Sequence, residues 1–347
     1  MLTRADFVFL APVRQHTGAE FIRRASRDLA VGHALVDPTN ERRFAAFNTL
    51  APHVYPRGDA ERVVTAAMWC NWLFFFDDQH DEAEGRATGV DALRARMEAY
   101  LGVLRGGPAD PADPLACYAA TFVTRALSVS SPAWLRRFCA SVEGYLLQGA
   151  LPAYAHYVAG TAPSRDAYLA QRDEDSAVGT ALDLLELIEG IELSDAVRAD
   201  PDHARLRQMC IRTIACFNDI VSYPKEVIVQ GNPNNLVHVL QLSRGLSLDA
   251  AMAEAVDETN AAAAAMEAAE QALRARHPEE AEALTAFAHG LRAWQVGNIE
   301  SSLVEARYRS PHSPFAELRP GGGRDVGRPA AWHVPARAAT QAGAPLR

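Results

Sequence analysis

The chain of 347 residues carries 34 Lys and Arg against 43 Asp and Glu, a formal charge of -9, and is 49% apolar. That balance speaks against a general nucleic-acid surface and leaves enough apolar residues for a large core. Cys70, Cys117, Cys139, Cys210 and Cys216 show no C-x-x-C or finger spacing, so they read as reduced thiols rather than a disulfide or zinc framework.

In chain order, the apolar run Phe7 to Ala11 is cut by Asp6 and Pro12. It is too short for a signal core or membrane span, so a cytoplasmic protein with no stable membrane insertion is expected. Helical periodicity predicts helices over Thr17 to Leu35, with Thr17 as cap, and Glu41 to Leu50. Pro52, Pro56 and Gly58 then lead to Asp59, which can cap a long apolar helix through Trp69, Trp72 and Phe75. After Gly85 and Gly89, helices are expected at Val90 to Leu104, Leu115 to Leu127, Pro132 to Tyr154, and from Ser164 or Asp166 to about Ile188. Asp202 to Gln230 reads as another long helix, although Pro224 removes a donor and should kink or end it. Leu236 to Gln241, Ser247 to Arg276 and Pro278 to Tyr308 complete the set. With no strand run in view, the fold class is all-α, one domain over residues 1 to 310. From residue 311 to 347 Pro, Gly, Ala and Arg dominate, a composition that points to a disordered tail.

Chemistry concentrates in two stretches. Phe74, Phe75 and Phe76 run directly into Asp77, Asp78, His80, Asp81 and Glu82. On a helix Asp77 lies one turn from Asp81 and Asp78 one turn from Glu82, so like charges stack. A hard divalent cation such as Mg2+ would turn that repulsion into binding. Further on, Asn218, Ser222 and Glu226 recur at i, i+4 and i+8 and set three oxygen donors along one helix edge. Alone, the second stretch is as readily a solvated face.

Together the two stretches, D-D-x-x-D-E after aromatics and N-D-x-x-S-x-x-K-E about 140 residues later, resemble the class I terpene synthases of the bacterial type. Arg172, 46 residues before Asn218, matches that family's diphosphate-sensing arginine. Trp294, Gly297, Asn298 and the pair Arg307-Tyr308 match its C-terminal elements, so the likeness covers about Asp59 to Tyr308. The resemblance implies a helical bundle around a central apolar cavity and a prenyl diphosphate as substrate, with farnesyl diphosphate ahead of geranylgeranyl diphosphate. It implies Mg2+, three ions replaceable by Mn2+, held by Asp77, Asp78, Asp81 and Glu82 and by Asn218, Ser222 and Glu226. Arg172, Lys225, Arg307 and Tyr308 would grip the diphosphate. Asp175 and Ser176 fall at the linker and effector positions, where Ser176 departs from the usual glycine. Ionisation, cyclisation and diphosphate release would follow, with Trp72, Phe75, Phe76 or Trp294 facing the cationic carbons. A homodimer is compatible with all of this.

Competing readings exist for the same residues. His80-Asp81 could belong to an HD-type metal phosphohydrolase, which leaves Asn218 to Glu226 unexplained. A chain-elongating prenyltransferase would need a second aspartate-rich motif around Asp219, and none is present. A non-catalytic helical binding protein would use neither stretch.

Overall fold

Several helices begin where a short oxygen-bearing side chain precedes an apolar run, in line with the capping rule. Asp59 Oδ1 accepts from the N–H groups of Glu61 (3.0 Å) and Arg62 (3.2 Å). Asp113 does the same for Leu115 and Ala116, and Ser131 for Trp134, each followed by a proline in the first turn. The expected cap Thr17 is displaced: the helix starts after Gly18, whose N–H is taken by His16 Nδ1 at 2.9 Å.

The computed structural model describes residues 1–8, 14–81 and 89–320. Its helices are α1 (Ala19–Gly32), α2 (Glu41–Phe47), α3 (Leu50–Val54), α4 (Ala60–Asp81), α5 (Val90–Leu104), α6 (Pro114–Leu127), α7 (Pro132–Glu143), α8 (Leu151–Ala159), α9 (Arg165–Asp175), α10 (Val178–Glu189), α11 (Asp195–Ala199), α12 (Pro201–Tyr223), α13 (Leu236–Arg244), α14 (Leu248–Arg276) and α15 (Ala281–Val304). Among the described residues there is no strand, only an isolated bridge between Leu2 and Phe315. Helix α4 is buried almost all round and packs on α1, α3, α6 and α10. Helix α12 lies against α14 and α15.

Three departures from regular helix shape the molecule. The expected Pro132–Tyr154 helix widens into a π-helical stretch at Gly144–Ala150 before α8. The expected helix from Ser164 to Ile188 breaks at Ser176-Ala177, where Ala177 adopts a left-handed conformation with φ +60°. The two are linked, because a Cβ on Gly149 would stand 2.5 Å from the backbone nitrogen of Asp175. Only a residue without a side chain lets the broken chain approach that closely. The third departure is at Pro224. The proline does not end the helix; a π-helical stretch, Pro224–Val229, carries it on. A wider turn with i to i+5 bonding absorbs the missing donor.

The C-terminal boundary also differs from expectation. Residues 311–320 are packed: Ser313, Phe315 and Leu318 are buried, and the Phe7 ring meets Phe217 edge to face at 5.1 Å and lies tilted against Phe315 at 6.2 Å. Phe315 anchors the stretch to the N-terminal segment through Leu2 and Phe7. The remainder of the expected tail, 321–347, lies outside the described residues.

Gly297, singled out above, has a packing role. A Cβ there would come within 2.3 Å of the His53 carbonyl oxygen, so α15 and α3 meet backbone to backbone. Gly297→Ala is expected to cost about 1–3 kcal/mol by overpacking; an unchanged urea midpoint for that variant would contradict the assignment.

Candidate active site

Both stretches face one cavity. Asp77 from the end of α4, Asn218 from α12 and Glu226 from the π-helical turn after it line a cavity of about 190 Å3. Arg172, Asp175, Ser176, Glu305, Arg307 and Tyr308 share that lining, and the remaining wall is largely apolar, from Leu50, Leu73, Phe74, Val178, Ile214, Ala215 and Trp294. An adjoining lobe of about 130 Å3 shares Asp77, Tyr145, Arg172, Asp175 and Glu226 and is closed by Phe76, Leu93 and Met97.

The π-helical turn explains how Glu226 stays on the site side. A wider turn advances fewer degrees per residue, so Glu226 falls back toward the Asn218–Ser222 edge instead of drifting past it. Lys225 is half-buried and within electrostatic reach of Glu305. Ser222 Oγ is buried and has no hydrogen-bond partner.

Arg172 is held in place by a network. Its Nε donates to Asp219 Oδ1 at 3.0 Å, Nη1 to Asp175 Oδ1 at 2.8 Å and Nη2 to Asn218 Oδ1 at 3.1 Å, and Nη2 also lies 2.9 Å from Asp219 Oδ1 in an ion pair. Tyr168 Oη (2.6 Å) and the Leu236 N–H (2.9 Å) donate to Asp219 Oδ2. Burial pushes the Asp219 carboxyl up, and the Arg172 charge opposes it. Asn218 Nδ2 in turn donates to Tyr308 Oη at 2.9 Å, and Asn235 Nδ2 reaches both Glu226 Oε2 (2.9 Å) and the Asp219 carbonyl (2.8 Å).

On the α4 side, Arg307 Nη2 donates to Asp77 Oδ2 at 3.2 Å while its guanidinium lies 5.0 Å above the Phe74 ring. Arg43 from α2 pairs with Asp78 at 2.5 Å. Burial raises the Asp78 carboxyl despite Arg307 and Arg43. The Asp81 side chain and Glu82 lie outside the described residues. Among the described residues no cluster of three or more His, Cys, Asp or Glu side chains is gathered as a metal site; the donor set here mixes Asp77 and Asp78 with an amide, a hydroxyl and Glu226. Hard oxygen donors of this kind fit Mg2+, and the buried, partnerless Ser222 hydroxyl is chemically suited to it, although neither Ser222 nor Asp78 lines the cavity itself.

The aromatic assignments divide. Trp294 lines the main cavity and Phe76 the adjoining lobe. Trp72 does not: it is 1% exposed, stacked between Trp69 and Phe76, with its Nε1 on the Leu115 carbonyl. Phe75 packs on Phe44 and Phe47 of α2. Trp72 is core and Phe75 is partly buried against that core, because a helix buried almost all round packs most of its rings on its neighbours. Phe74 and Tyr145 take cavity positions instead. Asp219, Tyr168, Asn235, Arg43 and Glu305 were not read as site residues; of these only Asp219 lies within one of the two motifs.

Comparison with known proteins gives the family. Residues 68–265 match the family model described as terpene synthase family 2, C-terminal metal binding. The chain belongs to the class I terpene synthases of the bacterial type. It is 33% identical over 267 residues, 77% of this chain and 81% of the relative, to a (+)-T-muurolol synthase ((2E,6E)-farnesyl diphosphate cyclizing) of Roseiflexus castenholzii. A 4-epi-cubebol synthase ((2E,6E)-farnesyl diphosphate cyclizing) of Streptosporangium roseum is 28% identical over 266 residues, 77% of this chain and 79% of the relative. Wild-type cucumene synthase superposes with a TM-score of 0.73 at 25% identity, covering 85% of this chain and 99% of that one. The fold is shared with a linalool/nerolidol synthase from Streptomyces clavuligerus, TM-score 0.75 at 22% identity, over 85% and 99% of the two chains. The protein is therefore a terpene cyclase, and the phosphohydrolase, prenyltransferase and binding-protein readings fall away. No helix among the described residues is long and apolar enough to cross a membrane.

Within this terpene synthase, Glu305 is a buried acid whose Oε1 has no partner. Burial pushes its carboxyl from 4.5 up to about 7, against the pull of Arg307 and Lys225. A folded chain that keeps this proton to about pH 7, when an unfolded one releases it near 4.5, has the associated stability in full below 4.5 and loses it as pH rises through 7. Glu305→Gln should therefore gain stability relative to wild type, by roughly 2–3 kcal/mol between pH 5 and pH 8. Urea unfolding at the two pH values reads this directly; parallel pH profiles for the two proteins would refute it.

Proposed function

We propose that this enzyme ionises and cyclises farnesyl diphosphate in a Mg2+-dependent reaction, releasing diphosphate and a sesquiterpene. The observation that carries the reading is the shared cavity: charged and polar groups from α4, α9, α12 and the C-terminal turn meet at one side of a pocket whose other walls are apolar. Two relatives carry farnesyl diphosphate in their names, which puts that chain ahead of geranylgeranyl diphosphate.

Mg2+ would be held by Asp77 and Asp78, with Asp81 and Glu82, and by Asn218, Ser222 and Glu226, and when bound it supplies Lewis-acid neutralisation of the leaving diphosphate. Arg172, Arg307, Tyr308 and Lys225 bind the diphosphate oxygens. Arg172 and Arg307 are suited to this because a guanidinium offers two parallel donors. They first exchange their present partners, Asn218 and Asp77, for the substrate. Once the C–O bond breaks, its electrons leave with diphosphate and an allyl cation remains in the pocket. The apolar walls keep bulk water away from it, and the faces of Tyr145 and Trp294 stabilise cationic carbons by about 0.5–2 kcal/mol each.

Purified protein incubated with Mg2+ and geranyl, farnesyl or geranylgeranyl diphosphate should give a cyclic fifteen-carbon product from farnesyl diphosphate, seen by gas chromatography and mass spectrometry. Chelation by EDTA should stop it. Asp77→Ala and Asn218→Ala should each lower kcat about 10²–10³-fold, the size typical of losing one preorganised electrostatic contact. Undiminished cyclisation by both variants would remove the site assignment, and a longer diphosphate as product would make the enzyme a prenyltransferase.

A further inference from the structure

A second cavity, of about 960 Å3, lies on the far side of α15, bounded also by the end of α3, the loop after it, α14 and the segment just before α1. His289, Ala293, Val296 and Gly297 form its α15 wall, whereas Trp294, Asn298 and Ser302 of the same helix line the reaction cavity. At about 100° per residue these two sets point to opposite sides of the helix. The cleft and the reaction cavity are separate spaces that share one wall.

Packing fixes the floor of the cleft. Gly297 brings α15 against the His53 carbonyl with no room for a Cβ, and the His53 ring is held by its Nδ1–H on the Thr49 carbonyl at 2.8 Å. Gln15 Nε2 lies 3.5 Å from the other ring nitrogen. Arg292 is tied down by its ion pair with Glu270 of α14, both largely sequestered from solvent.

Positive charge and N–H donors dominate what the cleft offers a ligand. Arg14, Arg57 and Arg292 stand against one carboxylate, Glu267, among the described lining residues, in a chain whose formal charge is -9. Arg292 is spent on Glu270, and Glu267 accepts from Gln271 at 3.4 Å. That leaves Arg14 and Arg57 as the cations open to a ligand. Arg57 Nη1 donates to His289 Nδ1 at 3.2 Å, but a guanidinium has five N–H donors and most remain for an anion. Glu189 feels the charge of Arg57 and His289 yet lies outside the lining. Guanidinium forks match phosphate oxygens, and two of them from distant parts of the chain suit a ligand with more than one phosphorus. Beside them Pro56, Ala293 and Val296 give an apolar patch.

We propose that this cleft between α3 and α15 is a second anion site, in which Arg14 and Arg57 bind a diphosphate group without a metal ion. One exposed carboxylate is too little to hold a hard cation there. The inference goes beyond the cyclisation reaction and does not rest on it.

The test is isothermal titration calorimetry of the full chain in EDTA, with inorganic diphosphate and with ADP as probes. Wild type should bind one or both. Arg14→Gln/Arg57→Gln, at two exposed positions, should weaken that binding at least about tenfold, the scale of one lost charge-assisted hydrogen bond. Arg307→Gln, in the reaction cavity, should leave it within about twofold of wild type on the same reasoning. Circular dichroism checks the helical content of each variant, and Arg14→Gln alone replaces the double variant if that does not fold. Tighter binding of ADP assigns the group to an organic diphosphate and tighter binding of the inorganic ion to free diphosphate; either result bears the inference out. Neither probe binding to wild type overturns it, as does a folded double variant that binds like wild type, or an equal loss in Arg307→Gln. Turnover is not read, so these results leave the proposed function standing.

Discussion

The buried pair between Arg172 and Asp219 is the contact on which the site depends. It joins α9 to α12 and, through the Leu236 N–H and Asn235, to the start of α13. A guanidinium and a carboxylate taken out of water are stable only when their remaining hydrogen bonds are met. Here Tyr168, Asp175, Asn218 and a backbone N–H meet them. The consequence is geometric: Arg172 can present itself to the cavity because Asp219, one residue from Asn218, anchors its far side.

The rest of the site is charge-paired in a similar manner but more loosely. Arg307 rests on Asp77 and the Phe74 face, and Arg43 rests on Asp78. These contacts bring α2, α4 and the C-terminal turn together around the carboxylate end of α4. Asp77 and Arg43 are each close to half exposed, so their pairs are worth little by themselves and exchange readily. A rigid inner arginine and a more exchangeable outer rim suit a pocket that must admit an anion and its counter-ions.

Irregular helix geometry places several of these groups. The widened turn after Pro224 keeps Glu226 on the cavity side, and the widened turn before α8 brings Gly149 against the break that follows Asp175. Ala177 pays for that break with a left-handed backbone, a strain of order 1–2 kcal/mol. The break also turns Ser176 and Ala177 into the cavity lining, which a continuous helix would not do. Proline and glycine therefore act here as devices for aiming neighbours, in line with the use of π-helical turns at functional sites.

Much was written in the chain itself. The helical class, most helix starts, the carboxylates after Phe76 and the Asn218–Ser222–Glu226 edge follow from short-range rules of capping, periodicity and charge spacing, which any local reading captures. The bounds of α5, Val90 to Leu104, could be read directly. What a local reading could not supply was anything decided between helices. The break at Ala177 has no proline to announce it, and the contact that accommodates it comes from Gly149, far away in the chain. Trp72 and Phe76 share the apolar face of α4, yet one is core and the other cavity, since only the neighbours of each ring determine which. Asp219 and Glu305 look like ordinary acids until burial beside Arg172 and Arg307 gives them their chemistry. Sequence determined which groups the chain carries and the helices that bear them; tertiary packing decided which of them lose water, because desolvation depends on what lies across the gap.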